Sequence, residues 1–306
     1  MSKIPILVLA FNRADHVEEV MKAISVYKPE KLYLECDGPR PQKIGERESV
    51  EKTRQVMLDS VNWPCEVKTL FREKNLGCAN AVFDAITWFF MNEEYGIICE
   101  DDVILSQDFF KLCEDLLPRY AKNERIMSIN AQNHSYRSDI NNSYVYSCRE
   151  DCWGWASWSR AWKKMDMSMS SVPSLTNKFL IRKLGLFEAI MQKRVFKRAY
   201  KDLDNFNSWA YRWFLSVLVN DGLVIVPGVN LSINIGMDGG AHYEANDVNP
   251  YADLKIGKID WPIIYNDSYE IDKRQAMFEE KDFFRVRMIG LRKKIRKILF
   301  HFRRKN

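Results

Sequence analysis

Apolar residues enter this chain in short continuous runs that alternate with stretches of helical spacing. Residues 4–9 (IPILVL) form the first run, as a strand buried on both faces requires, and polar Asn12 and Arg13 lead from it into a helical pattern over residues 15–24. Residues 31–36 (KLYLEC) read as a second strand ending at Asp37-Gly38-Pro39, and residues 46–60 have helical composition with charges to one side. A third strand over 66–71, a helix over 79–90 and a fourth strand over 95–99 (YGIIC) follow, the last running straight into Glu100, Asp101 and Asp102. Strands alternating with helices at this spacing predict an α/β sheet with right-handed crossovers, whose ligands gather outside the carboxyl ends of the strands. Each polar cluster just named falls at such an end.

The second half is less regular. A helix is expected near 107–120 and a strand near 126–130, followed by an irregular stretch rich in Asn, Ser and Tyr. Four tryptophans, Trp153, Trp155, Trp158 and Trp162, crowd together after Asp151. Helices are expected over 177–203 and 208–220, a strand over 223–226, and residues 235–242 (IGMDGGAH) form a Gly-rich loop. Residues 1–250 thus read as one domain, with a nucleotide-binding half (1–105) and an acceptor half (106–250). An extension (251–284) and a tail (285–306) complete the chain.

Charge changes the picture at that tail. The whole chain carries +5, but residues 285–306 hold ten Lys or Arg and no acid, so the remainder stands at −5 and the basicity is local. Met288, Leu291, Ile295, Ile298, Leu299 and Phe302 recur there at helical spacing among the cations. A basic amphipathic helix of this kind binds anionic lipid head groups, each Lys or Arg contributing about 1 kcal/mol; a solvated helix end or a protein-binding helix are the alternatives. No basic patch elsewhere suggests nucleic acid as a partner. No apolar run approaches the roughly 20 residues of a membrane-spanning helix, and the opening has no basic region followed by a cleavage site. The expected location is therefore cytoplasmic, peripheral to the inner face of the cell membrane. Seven scattered cysteines suit reduced thiols, and the nearest pair, Cys148 and Cys152, has no His beside it to suggest zinc.

Glu100, Asp101 and Asp102 carry the clearest chemistry. Like charges crowded after an apolar strand are costly unless a cation or a set of donors compensates them. Hard oxygen ligands suit Mg²⁺ or Mn²⁺, whose shells are commonly completed by substrate phosphates and water; a solvated acidic turn is the plainer alternative. Asp37 has the placement to accept a hydrogen bond from a base or ribose, or simply to make its turn. Arg13 has the placement to contact nucleotide or phosphate, or to cap its loop. Asn75 lies in a run, Arg72 to Asn80, that sets cations and a Gly before a helix start, where free N–H groups favour an anion. Trp153 and its neighbours offer flat faces for a sugar, although at least two of the four are expected in the core. Gly236, Asp238, Gly239, Gly240 and His242 read as a lid or a plain surface loop, with His242 in reach of a diphosphate.

Taken in order, PILVLAFNR, LYLECDGP, REKNLGCANAV and IICEDDVILSQDFF resemble the GT-A glycosyltransferases, and the EDD stretch is similar to the N-acetylglucosaminyltransferase that starts complex N-glycans. CWGWASWSRAW, NSWAYRWFLSV and NIGMDGGAH look like family-2-like bacterial transferases of surface-polysaccharide synthesis. The resemblance spans about residues 3–245. It implies a GT-A fold, a Rossmann-like mixed sheet flanked by helices, here with the basic amphipathic helix at its C-terminus. It further implies a sugar moved from a nucleoside-diphosphate sugar, a UDP-sugar first, to a glycan or lipid-linked glycan. Asp102 would bind the metal, Asp101 the metal shell or donor sugar, Glu100 the ribose or sugar, Asp37 the base and Arg13 the nucleotide. The family's general base lies in a Trp-Asp-Asp-Trp stretch whose counterpart here is Phe206-Asn207-Ser208-Trp209, without the carboxylate. Asp204, Asp202 or Asp151 would replace it in an inverting reaction, which needs a group to take the acceptor's proton, with Asp151 and Asp204 the favoured candidates; a retaining reaction would need no such base. A nucleotidyltransferase making an activated sugar is the rival enzyme, although Asn12-Arg13-Ala14-Asp15 lacks the glycine its phosphate loop would show. A catalytically degenerate sugar-binding or scaffold module is the non-enzymatic rival.

Overall fold

The structure, a computed structural model, describes residues 3–134, 143–236, 251 and 254–303, with side chains to residue 290. Buried runs make the first strands, β1 (Ile6–Ala10) and β2 (Lys31–Cys36), and β3 (Glu66–Phe71) lies outside them, its residues largely part-exposed. Between them run α1 (Ala14–Tyr27), which turns Val17, Val20, Met21 and Ile24 inward, and α2 (Glu46–Asp59). Next come α3 (Cys78–Asn92), β4 (Tyr95–Glu100), the short β5 (Val103–Leu105), α4 (Gln107–Arg119) and β6 (Ile126–Asn130). The stretch expected to be irregular contains two strands, β7 (Tyr144–Ser147) and β8 (Trp155–Trp158). A single turn, α5 (Ser159–Trp162), leads towards α6 (Asn177–Leu184), α7 (Leu186–Lys201), α8 (Ala210–Val219), β9 (Leu223–Pro227), β10 (Ser232–Asn234) and α9 (Lys273–Arg303).

Eight strands form one sheet in the order β3-β2-β1-β4-β8-β6-β9-β7. The first four are parallel, β8 is antiparallel to β4 and β6, and β7 is antiparallel to β9. The result is an α/β fold with a Rossmann-like mixed sheet flanked by helices, as the alternation of strands and helices predicts. β2 and β3 extend from one side of β1 and β4 lies on the other, so the order reverses between β1 and β4. In open α/β sheets that reversal opens the crevice where ligands bind.

Two departures from the sequence reading have physical causes. The helix expected over 177–203 is broken at Gly185, which adopts φ +81° and approaches Glu280 so closely that a Cβ would fall 2.1 Å from its carboxylate. L residues with side chains avoid that conformation, and here there is no room for one either. At the C-terminus, α9 starts twelve residues before the expected tail and runs unbroken across residue 285.

Trp155, Trp158 and Trp162 are core residues, while Trp153 is half-buried. Trp155 stacks on Trp209 at 5.7 Å and Trp162 meets Trp213 at 5.1 Å. This block fixes the loop before α8, residues 202–209, against the start of α3. The residue preceding α3 is Gly77, which has no side chain to cap the helix, and the Asn207 side-chain oxygen accepts from the Ala79 N–H at 3.0 Å instead. Asn207 thus closes a helix start 128 residues away in sequence. Asn207→Ala should lower unfolding free energy by about 1 kcal/mol in urea titration, the usual value of an N-cap, whereas Asn207→Asp should retain it because a carboxylate also accepts and suits the helix dipole.

Candidate active site

The crevice between β1 and β4 holds one tight ionic cluster. Arg13 stands at the start of α1 immediately after β1, and its guanidinium reaches across to the turn that follows β4. There it forms an ion pair with Asp101 and lies 2.9 Å from Asp102. Asp101 is 4% and Asp102 8% exposed, so this cation sits between two buried carboxylates. The cost of crowding these acids is met, in the described structure, by the chain's own arginine. Burial pushes the Asp101 carboxyl upward against the opposing pull of Arg13. Glu100 is raised by burial and then by the fields of Asp102 and Asp101.

Backbone pairing sets this geometry. β10 runs antiparallel to β5 with Asn234 opposite Val103, the Ile235 N–H donates to the Asp102 carbonyl at 2.8 Å, and the Asn234 side-chain nitrogen reaches Asp102 at 3.3 Å. Gly236 lies so close that a Cβ there would stand 2.0 Å from the Asp102 carboxylate and 2.7 Å from Arg13. A side chain at this position would displace the carboxylate or the guanidinium from the pair. The α1 start has no side-chain cap, and its positive dipole end lies beside Arg13.

Asp37 is given over to its neighbours. It accepts from the Gly38 N–H at 2.8 Å, from Leu76 at 3.0 Å and from Gly77 at 3.2 Å, and Asn75 donates to the Gly38 carbonyl at 2.8 Å. The two residues tie the 72–77 loop to the end of β2, and burial nevertheless raises the Asp37 carboxyl.

On the other side of Glu100 a second polar group gathers after β7. Glu150 and Asp151 are raised by burial, and Glu150 also by the fields of Asp151 and Glu100, so Glu100 stands electrically between the two groups. Asp151 borders a cavity of about 160 Å³ with Asn130, Gln132, His134, Arg149, Glu279 and Asp282 among its lining. With its amide turned to satisfy its neighbours, Gln132 donates to both Asp151 oxygens at 2.8 and 2.7 Å and accepts from His134 Nε2 at 2.5 Å. His134 Nδ1 faces Asp282 at 3.3 Å, and its ring stacks on Tyr251 at 3.8 Å, with Trp153 edge-on to Tyr251 at 5.7 Å. Hydrogen bonds from His134, Tyr251 and Arg285 outweigh burial and hold Asp282 at about 2. The cavity pairs a flat aromatic wall with acceptors and donors, the chemistry that suits a polyhydroxylated ligand. A wider, open depression of about 650 Å³ lies by Arg119, Tyr120 and Tyr269, at the far end of α4, roughly 20 Å along that helix from the acidic turn.

The crevice thus gathers Arg13, Glu100, Asp101 and Asp102, and Asp151 lines the neighbouring cavity, with Trp153 packed against the cavity's Tyr251 and His134. Asp204 is exposed on the 202–209 loop, and no hydrogen bond or ion pair among the described residues joins it to the acidic cluster. His242 lies outside the described residues. Gln132, His134, Glu150, Asn234, Tyr251 and Asp282 escaped the sequence reading, because each gains its place only from strand pairing or from α9 packing back. Among the described residues no three His, Cys, Asp or Glu side chains surround one point as a metal cage would. The donor chemistry still fits Mg²⁺ or Mn²⁺ held by Asp102 and completed by diphosphate oxygens, since Mg²⁺ commonly takes only one or two protein carboxylates.

Among known protein families the chain matches none, and no curated protein matches it. Solved structures with some likeness include the inositol-1-phosphate CTP transferase from T. maritima, at 13% identity and TM-score 0.39 over 77% of this chain and 90% of that one. Others are the glycosyltransferase GlyE in Streptococcus pneumoniae TIGR4 (12%, TM-score 0.32, 57% and 41%) and HddC from Yersinia pseudotuberculosis (11%, TM-score 0.30, 51% and 77%). Likenesses this distant do not decide between sugar transfer and nucleotide transfer.

Removing Arg13 tests the cluster directly. Arg13→Ala leaves two buried carboxylates uncompensated and should lower stability by about 2–4 kcal/mol, somewhat below the value for a fully buried pair because Arg13 keeps 29% of its side chain exposed. Millimolar Mn²⁺ should then raise the melting temperature of the variant more than that of the native chain. Equal shifts in calorimetry would separate Arg13 from any cation site.

Proposed function

We propose that this protein is a glycosyltransferase that takes a sugar from a nucleoside-diphosphate sugar, a UDP-sugar first, and passes it to a glycan or lipid-linked glycan in surface-polysaccharide synthesis. The observation that carries the reading is the meeting of Arg13 with Asp101 and Asp102 at the β1–β4 switch point. A diphosphate placed there would face a guanidinium that can bind it bidentately and the N-terminal end of the α1 dipole. A divalent ion bound at Asp102 would neutralise charge on the leaving diphosphate. Glu100 and Asp101 would then orient the ribose and sugar, and Asp37 with Asn75 would hold the loop that borders the base.

In this reading the acceptor enters the cavity beside Asp151. Its hydroxyl proton passes to a carboxylate as the oxygen attacks the anomeric carbon, with inversion. Asp151 is the better placed of the two candidates: it lies at the cavity, and its burial raises its proton affinity, which suits a base. Trp153, Tyr251 and His134 would supply the flat wall for a sugar ring. The tail beyond residue 285 would hold the enzyme at an anionic membrane where lipid-linked acceptors reside, and no helix of the described residues is long and apolar enough to cross a membrane.

Thermal-shift titration with UDP, GDP, CDP and CMP, each with and without Mn²⁺, tests the donor site. Stabilisation by one diphosphate only with metal, abolished in Asp102→Ala, is the expected result. Release of pyrophosphate from a nucleoside triphosphate and a sugar phosphate would instead identify a nucleotidyltransferase, and binding without any turnover a sugar-binding module. For the acceptor step, Asp151→Asn should cut kcat at least 100-fold while leaving donor affinity within about twofold, as expected for a general base. A full rate in that variant would remove Asp151 from the chemistry.

A further inference from the structure

Exposed apolar side chains are concentrated in one part of this molecule. Among the described residues fifteen large hydrophobic side chains are exposed, and seven of them lie on α6, α7 and α9, including Ile181, Leu186, Ile190, Met277, Phe278 and Phe284. Scattered singly such residues need no explanation, but gathered beside like charge they mark a contact surface.

Packing joins these helices. The Phe187 ring meets Phe284 at 4.7 Å, the Phe187 N–H donates to Glu280 at 3.2 Å, and Gly185 makes room for the Glu280 carboxylate. Leu186, 60% exposed, and Phe284, 46% exposed, therefore flank one seam. From Leu186 the exposed face of α7 continues by helical spacing through Ile190 and Arg194 to Lys197 and Lys201. From Phe284 the spacing continues along α9 to Met288 and into the sequence whose apolar positions recur among ten cations.

Charge selects the occupant. α6 and α7 together carry eight Lys or Arg and a single acid, Glu188, which is buried in an ion pair with Arg149. Lys183 is paired with Asp221, whereas Lys178, Arg182, Arg194, Lys197, Arg198 and Lys201 are exposed. The residues from 177 to 201 thus repeat, far away in sequence, the combination of cations and apolar side chains found in the tail, so the basicity is not confined to the tail as the sequence reading expected. Exposed leucine, isoleucine and phenylalanine beside cations match a surface that is anionic outside and apolar beneath. We propose that the α6–α7 pair is a second membrane-contacting element, which docks with α9 on a bilayer containing anionic phospholipid and so fixes the orientation of the enzyme there. The inference extends the membrane-associated reading above, but it does not depend on which reaction the site performs.

The experiment is co-sedimentation of the full chain with vesicles of phosphatidylcholine alone and of phosphatidylcholine with about a third phosphatidylglycerol. Wild type should bind only the anionic vesicles. The pairs Leu186→Glu with Ile190→Glu, and Arg194→Glu with Lys197→Glu, should each weaken that binding roughly tenfold or more, as two acids introduced on the apolar face, or two charge reversals beside it, imply. The same reversal at exposed Lys43 and Arg47, before and within α2, should change it less than about twofold. Circular dichroism and donor thermal shift on each variant confirm that the fold and the nucleotide site persist. Those readouts keep a failed membrane result distinct from a failed donor reading. Undiminished binding by the α7 variants, an equal loss in the α2 pair, no binding by wild type, or self-association in place of vesicle binding would each overturn the proposal.

Discussion

Burial of two adjacent carboxylates at the end of β4 is the constraint around which the rest of the site is arranged. Asp101 and Asp102 are withdrawn from water, and such groups persist as charges only when a cation and hydrogen-bond donors face them. Arg13 is the cation. It can reach them because β1 and β4 are neighbours in the sheet and both strands end at the same level, with Leu9 opposite Glu100. The β5–β10 ladder then brings Asn234 to Asp102 and carries Gly236 over the pair. An arginine in this position has two consequences. It stabilises the acids without substrate, and it leaves a guanidinium at the crevice where a diphosphate can compete for it with Asp101 and Asp102.

The first half of the fold was legible because its signal is local. In a parallel sheet with both faces covered, a strand is a continuous apolar run, as in β1 and β4, and the readings 31–36 and 66–71 also coincide with the observed strands to the residue. The acidic turn was legible for the same reason, since three carboxylates directly after such a run stand out in the sequence alone. The second half was not. β7 and β8 are only four residues each, β7 among polar residues and β8 inside the tryptophan cluster, and β5 and β10 are three residues each, so pairing rather than pattern makes them strands. Gly185 splits a stretch that is helical in composition throughout, and only its contact with Glu280 shows why a helix must stop there.

Roles assigned from single residues fared according to how many neighbours compete for them. Asp37 has the right position for a nucleotide contact, yet three backbone N–H groups already claim its oxygens, and its direct effect is to hold the 75–77 loop. Asn207 stands where the family resemblance would place a carboxylate, and it caps α3. The loss of a carboxylate there therefore leaves a structural task still performed by the amide. His134 and Gln132 gave no signal in sequence, because a lone His and a lone Gln acquire meaning only when β7, α9 and the end of β6 converge on Asp151.

That convergence makes α9 the element that joins the two ends of the proposed activity. Glu279 and Asp282 turn towards the Asp151 cavity, while Phe284, on the same helix within about one turn of Asp282, is half-exposed against Phe187 of α7. With its exposed face on a membrane, as proposed, this helix would fix the cavity's height above the bilayer, since a helix is stiff over this length. An acceptor tethered to lipid would then arrive at a set depth, where a soluble acceptor would have to find the cavity by diffusion. The contact of His134 with Asp282 and the ion pair of Arg149 with Glu279 hold this part of α9 to the domain, so the positioning survives without ligand.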